Sequence, residues 1–385
     1  MKKLKPLLLV FALIVIGLSY SMPLPVKAQE QTNIEYKQIA ESFYVQRQDV
    51  ETALAGMGAD RTAYSSGEYA AANYLAGQFE SFGLGRFEGE YIHSFGAGAS
   101  QSYNVVGRLI GKSSDKQIVI GAHYDNAYSI KNKETKSQGI YDNLSGVLCV
   151  LKLAEALSVY QQTNELACDV VFVCYGAEEL GMLGSKEFVK FCRLNNYNTI
   201  FAFNFDSIGC GEELYYYSGE VMTAYNEIIE NAIESLVLPY AFAELPVDKK
   251  LSFIGGYENS VYYNIGLQSD NLSYLNGNVS STTFFSGNWK QDTSFVESEK
   301  YDNIHHTEND NIDVLFERYP DCLDKINSVI CVAYACVVSE QIALNESSVF
   351  NGFIFNNKLI IVAIGLFTMI VFVAVTNNKS KSVKK

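Results

Sequence analysis

The chain is 385 residues long, is 48% hydrophobic, and sets 43 Asp+Glu against 29 Lys+Arg for a formal net charge of −14. That length and composition fit one large α/β domain and exclude a low-complexity or disordered chain. The acidic balance argues against nucleic acid or anionic lipid as an electrostatic partner.

Met1, Lys2, Lys3 and Lys5 lead into an apolar run from Leu7 to Leu18, and Val26-Lys27-Ala28 follows in a cleavage-like pattern. This order reads as a secretory signal peptide over 1–28, with an apolar run too short for a comfortable membrane span. Residues 29–352 hold no Pro/Ser/Gly linker and no internal repeat, and read as a single extracytoplasmic domain. Within it, Ala70 to Phe82 is apolar at helical spacing and stops at Gly83. Ser102 to Ile110 and Gln117 to Ala122 read as strands, and Ser145 to Leu157 as an apolar helix. Val170 to Cys174 is a buried strand, Ser185 to Cys192 a helix, Thr199 to Phe205 a strand, and Thr223 to Leu236 a helix. Leu272 to Tyr301, rich in Ser, Asn, Gly and Thr, reads as a long pocket-flanking loop. Cys322 to Leu344 reads as one long helix. Strands alternating with helices predict a three-layer α/β/α fold around a mixed, mostly parallel sheet with helices on both faces. Leu359 to Val375 is long and apolar enough for a spanning helix, set at 353–376, and the lysines of 377–385 beyond it mark a basic cytoplasmic tail. The ends together predict a single-pass cell-membrane protein with the domain of residues 29–352 outside.

The polar residues fall where strands end. His123-Tyr124-Asp125 follows one strand and sets an imidazole two residues from a carboxylate. A metal-bound histidine commonly gives its second ring nitrogen to such a group, so His123 would ligate and Asp125 would orient it. Glu178 and Glu179 follow another strand. Either they favour a helix N-terminus through its dipole, or one binds metal while the other stays free as a base. The eight cysteines read as buried small hydrophobes, with a bridge among Cys322, Cys331 and Cys336 open; their spacing does not match a cysteine zinc site.

Five segments then come in one order: His123-x-Asp125, Asp142-Asn143-x-Ser145-Gly146, Glu178-Glu179-x-Gly181-x-x-Gly184-Ser185, Asn204-x-Asp206-x-x-Gly209 and His306-Thr307-x-x-Asp310. Together they resemble the co-catalytic zinc aminopeptidase family of bacterial leucyl aminopeptidases, to which glutamate carboxypeptidase and glutaminyl cyclase are related. The resemblance spans about Ser66 to Leu344. It implies two Zn²⁺ ions bridged by Asp142, with Glu179 and His306 completing one site and His123 and Asp206 the other. It implies Glu178 as general base and acid, and peptides with a free N-terminus as substrates. His305 competes with His306; the Thr307 and Asp310 spacing favours His306 and leaves His305 beside the substrate. His93 has no acidic context and reads as a packing residue.

The family's Ser-Asp-His, aromatic and Gly-Ile-Pro pattern is sought here at Tyr257 to Leu267, where the Asp-His pair is absent. Phe284, Phe285 and Trp289 serve equally as a specificity pocket or as packing. Asn143-Leu144-Ser145 matches a glycosylation acceptor, but a glycan beside Asp142 would block the site. Glutaminyl cyclisation, carboxypeptidase action and a catalytically inactive receptor ectodomain stand as the other readings.

Overall fold

The computed structural model describes residues 41–127, 137–218, 223–243, 269–288 and 303–344. The signal peptide, the spanning helix with its tail, Tyr257 to Leu267 and Trp289 lie outside the described residues.

Among the described residues, two helices, α1 (Arg47–Met57) and α2 (Ser66–Ser81), precede the sheet. Ser65 caps α2 by accepting from the Glu68 amide, and the chain leaves the helix at Gly83, whose φ of 78° suits glycine. Strands β1 (Gly85–Arg86), β2 (Ile92–Phe95), β3 (Ser102–Leu109) and β4 (Ser113–His123) follow, then helix α3 (Ser145–Gln161), β5 (Cys168–Tyr175), α4 (Leu183–Leu194), β6 (Thr199–Phe205) and β7 (Glu213–Tyr217). The remaining described elements are α5 (Thr223–Ser235), α6 (Asn271–Asn276), β8 (Ser280–Gly287), α7 (Ile312–Arg318), α8 (Cys322–Val338) and α9 (Gln341–Leu344).

The sheet runs β1-β3-β5-β4-β6-β8-β7, with β2 also paired to β3. Its centre, β5-β4-β6-β8, is parallel. The flanking pairs β1-β3, β2-β3, β3-β5 and β7-β8 are antiparallel. The expected mostly parallel sheet is therefore a parallel centre with antiparallel edges. β1, β2 and β7 are short, and β3 and β7 pair with strands about 70 residues away, so periodicity alone does not show their direction.

Every residue of β5 is buried. Side chains alternate across a strand, so Val170, Phe172 and Cys174 enter one core while Val171, Val173 and Tyr175 enter the other. The larger core is completed by α2, α3, α5 and α8, the smaller by Phe188 and Cys192 of α4 and Tyr274 of α6. This double burial explains the unbroken apolar strand sequences. Among the described residues, the helical stretch Ile140–Gln161 is long and apolar enough to cross a membrane, but 72% of its most apolar window is buried inside the fold.

Three readings of the sequence need correction. Leu272 to Tyr301 contains α6 and β8, so it is no uninterrupted loop. The Ser-Ser-Thr-Thr start of β8 disguises a fully buried strand. Its hydroxyls are satisfied internally: Ser281 donates to the Ala202 carbonyl at 2.9 Å, Thr282 pairs with Ser218 at 2.6 Å, and Thr283 accepts from Asn204 at 2.7 Å. Phe284 stacks in the core on Phe203 and Phe205, so packing is its role. All eight cysteines are buried and none is in a disulfide, which removes the bridge left open among Cys322, Cys331 and Cys336. Cys322 to Leu344 is likewise broken into α8 and α9, with Glu340 between them at a φ of 61°.

Candidate metal centre

Ligands of open α/β sheets collect beyond the carboxyl ends of the parallel strands, and the polar cluster of this chain sits there. His123 is the last residue of β4, Glu178 and Glu179 follow β5, and Asp206 follows β6. Asp142 lies in the turn Ile140–Leu144 that feeds α3. Asn143 locks this turn to the sheet: its Nδ2 donates to the Phe205 carbonyl at 2.8 Å, and its Oδ1 accepts from the Gly146 amide at 3.0 Å. Gly146 is required by close approach, because a Cβ there would stand 2.3 Å from the Phe205 carbonyl oxygen. Asn143 is wholly buried, which disposes of it as a glycan acceptor.

Asp142 has two faces. Its Oδ1 is 3.2 Å from His123 Nε2, which is also 3.4 Å from Asp206 Oδ1. Its Oδ2 is 3.1 Å from His306 Nε2, which is 3.2 Å from Glu179 Oε2. His305 joins the second face, with Nε2 at 3.0 Å from Asp142 Oδ2. The structure thus brings His123, Asp142, Glu179, Asp206 and His306 into one cluster, with Glu178 beside His123 and Glu179. His93 lies apart, its Nε2 3.1 Å from the Glu90 carbonyl oxygen and its ring edge-on to Phe87.

Asp125 is placed differently from the expectation. Its carboxylate is 3.7 Å from His123 Nδ1, while its backbone oxygen is nearer at 3.2 Å. The carboxylate instead accepts from the amides of Glu178 at 2.9 Å and Glu179 at 3.2 Å. It ties the end of β4 to the glutamate pair and reaches His123 mainly through the backbone.

Three buried residues complete the frame without having been singled out as site residues. Asp310 accepts from the Ile140, Tyr141 and Asp142 amides at 2.8, 2.7 and 3.1 Å. Arg61 is 0% exposed and donates to the Gly58, Tyr124, Gln138 and Gly139 carbonyls. Burial lowers its pKa to about 10 against the pull of Asp310 and Asp125. Asp270 is wholly buried, and neither oxygen has a hydrogen-bond partner among the described residues. Burial raises its pKa to about 7, opposed by His123. Ser269-Asp270-Asn271, then Tyr274 and Gly277, precedes β8. This fits the Ser-Asp-His, aromatic and glycine pattern better than Tyr257 to Leu267 does, with Asn271 in the histidine's place. The signal was in the sequence; an unrecognised β8 hid its register.

The electrostatics are those of crowded acids. Burial pushes the Glu178 carboxyl well above its usual range, with His123 opposing and Asp270 and Glu179 adding. Burial also lifts Glu179, against the pull of His306. Asp142 falls well below its usual range: burial works against this, but His305, His123 and His306 outweigh it. Among the described residues, the ion-pair partners of Asp142, Glu179 and Asp206 are all histidines. A buried carboxylate is costly unless hydrogen-bonded, protonated or paired with a cation, and Glu179 Oε1 is buried with no hydrogen-bond partner among the described residues. Ligands about 2.0–2.1 Å from one zinc ion stand roughly 3.3 Å apart at tetrahedral angles. The nitrogen–oxygen separations of 3.1–3.4 Å found on both faces of Asp142 match that spacing. The donor set therefore fits zinc.

Comparison with known proteins agrees. The sequence profile of Peptidase family M28 matches residues 104–331, a span holding every site residue named above except Arg61. A relative from Escherichia coli, the alkaline phosphatase isozyme conversion protein, is 28% identical over 169 residues, 40% of this chain and 48% of its own length. An aminopeptidase of Pseudomonas aeruginosa is 32% identical over 111 residues, 29% of this chain and 19% of that protein. The chain thus matches about half or less of the length of these curated relatives. In fold it is similar to the LapA aminopeptidase of Legionella pneumophila, with a TM-score of 0.56 at 18% identity over 84% of this chain and 78% of the other. With over half of its length matched, the chain belongs to peptidase family M28, a family of zinc-dependent hydrolases.

Proposed function

We propose that this chain is an aminopeptidase that removes N-terminal residues from peptides with two zinc ions bridged by Asp142. The observation that carries the reading is the division of Asp142, whose two oxygens face separate histidine–carboxylate sets. Asp142, His123 and Asp206 would hold one ion, and Asp142, Glu179 and His306 the other. When bound, zinc supplies the Lewis acidity that polarises a scissile carbonyl and acidifies the attacking water. Glu178, bonded through its amide to Asp125, takes that water's proton on its carboxylate and delivers it to the leaving amine. Asp125 fixes the backbone on which both glutamates stand, and Asp310 fixes the backbone of Asp142.

The test is zinc analysis of the purified protein together with a panel of aminoacyl amides and of free and N-blocked peptides. Two zinc equivalents, cleavage of free N-termini only, and loss of turnover in Glu178→Gln with zinc retained are the expected results. Absence of hydrolysis of every substrate, with the variant behaving identically, would sink the enzyme reading. Cyclisation of N-terminal glutamine in place of cleavage would move the chain to the glutaminyl cyclase reading. From the composition of residues 1–28 and 353–385 we also assign an extracytoplasmic domain on a C-terminal membrane anchor. Protease accessibility in intact cells tests that assignment, and an inaccessible domain refutes it.

A further inference from the structure

We propose that His305 is itself a metal ligand, a second imidazole beside His306 at Oδ2 of Asp142. The inference rests on the two-ion reading above and extends it to a residue that reading leaves beside the substrate.

Three observations converge on His305. First, its Nε2 is 3.0 Å from Asp142 Oδ2, as close as His306 Nε2 at 3.1 Å. Second, Asp142, His305 and His306 each offer a ligand atom, all within 4.8 Å of one another. Third, the backbone is bent to allow this. Consecutive side chains normally diverge, but His306 has a φ of 53°, in the left-handed region that histidine enters more readily than most side chains. The result is that the two imidazoles lie face to face, with ring centres 3.8 Å apart and planes 23° apart. Tyr141 packs edge-on to His305 at 6.4 Å and limits its swing.

A substrate-facing histidine would need none of this. It could sit on either side of the turn with its nitrogen directed away from Asp142. Stacking explains parallel rings but not the shared aim of both Nε2 atoms, which either ring N–H hydrogen bonds to Asp142 Oδ2 or ligation of one ion beside it would give. Metal ligation accounts for both facts, because each imidazole then presents a lone pair to the same ion. Imidazole suits zinc, whereas carboxylate and carbonyl donors suit manganese or magnesium. A doubled imidazole therefore makes this half of the centre the more zinc-selective.

The experiment strips the full-length protein with a chelator and titrates zinc back against a chromophoric chelator, which reads site number and affinity without reference to turnover. The arms are wild type, His305→Phe, His305→Gln, His306→Ala and His123→Ala, each checked for folding by circular dichroism as the apo form. His305→Phe keeps a flat ring against His306 but offers no nitrogen; His305→Gln keeps polarity and removes the ring. Wild type is expected to take up two equivalents. In both His305 variants one of the two sites weakens by about tenfold or more, and His306→Ala loses less affinity than His123→Ala because His305 remains. Phe and Gln variants that titrate like wild type overturn the inference while leaving the two-ion reading intact. A Phe variant like wild type beside a weakened Gln variant also overturns it, in favour of stacking. A wild type that takes up no zinc overturns the underlying reading instead.

Discussion

His123 and Asp206 stand at the ends of neighbouring parallel strands, where residues 117–121 of β4 pair with residues 199–204 of β6, whereas His305 and His306 come on a turn between residues 303 and 310 that belongs to no helix or strand. The sheet half is nearly sealed, His123 being 1% exposed; the turn half is more open, with the His306 side chain at 24%. Ladder hydrogen bonds fix the first. The second is fixed by side chains bonded to backbone: Thr307 Oγ1 donates at 2.8 Å to the Ile304 carbonyl, and Asp310 gathers three amides of the Asp142 turn. A loop can thus be held closely enough for ligation when one buried acid takes over the work of a strand partner.

The comparison breaks hardest at the residue common to both halves. Asp142→Ala should lose both zinc ions and lower turnover on the order of 10⁴-fold or more, read by metal analysis and initial rates; one retained equivalent would show that the halves do not share it. Next comes Glu178→Gln, for which general acid–base loss predicts a fall of about 10²–10⁴-fold in kcat with both zinc equivalents kept. Asp310→Ala sharpens the contrast between halves. It orphans three buried amides, so denaturant unfolding should show a loss of about 2–5 kcal/mol. Chelator competition should show the turn-side ion weakened by about 10–100-fold, and equal weakening on both sides would deny the clamp its selective role.

The smallest effect lies outside both halves, on α2. Glu68 is 0% exposed and accepts from the Tyr64 amide and the Ser102 hydroxyl. Burial raises its pKa from 4.5 to about 7. The folded protein then holds a proton that the unfolded chain releases, so this group's contribution is complete below about pH 4.5 and is lost as pH rises through about 7. The Glu68→Gln variant should flatten that part of the curve of unfolding midpoint against pH; an unchanged slope would assign it to other groups.

The sheet half was also the more legible in the sequence. His123, Glu178, Glu179 and Asp206 each follow an apolar, β-branched or aromatic run, and strand ends are where ligands gather, so local patterning alone singles them out. Asp142 and His306 needed the resemblance of five ordered motifs, because nothing local marks a turn as a ligand carrier. Asp310 could be seen as part of a motif, but its partners lie 168 to 170 residues earlier, and no periodicity reports such a contact. Arg61 left no signal either, since a lone arginine ordinarily reads as surface charge. Asp270 was missed because the hydroxyl-rich β8 mimics a loop, so the short motif just before it was not seen as leading into a strand.

The distance between Asp310 and the Asp142 turn also has a bearing on synthesis. A chain still emerging from the ribosome carries His123 and Asp142 long before it carries His306 or Asp310, so the turn's amides stay open and the cluster lacks its final donors. On the ligand set proposed above, a product ending before residue 303 would carry Asp142, Glu179 and Asp206 without His306 or Asp310, and so could not assemble the turn side of the centre.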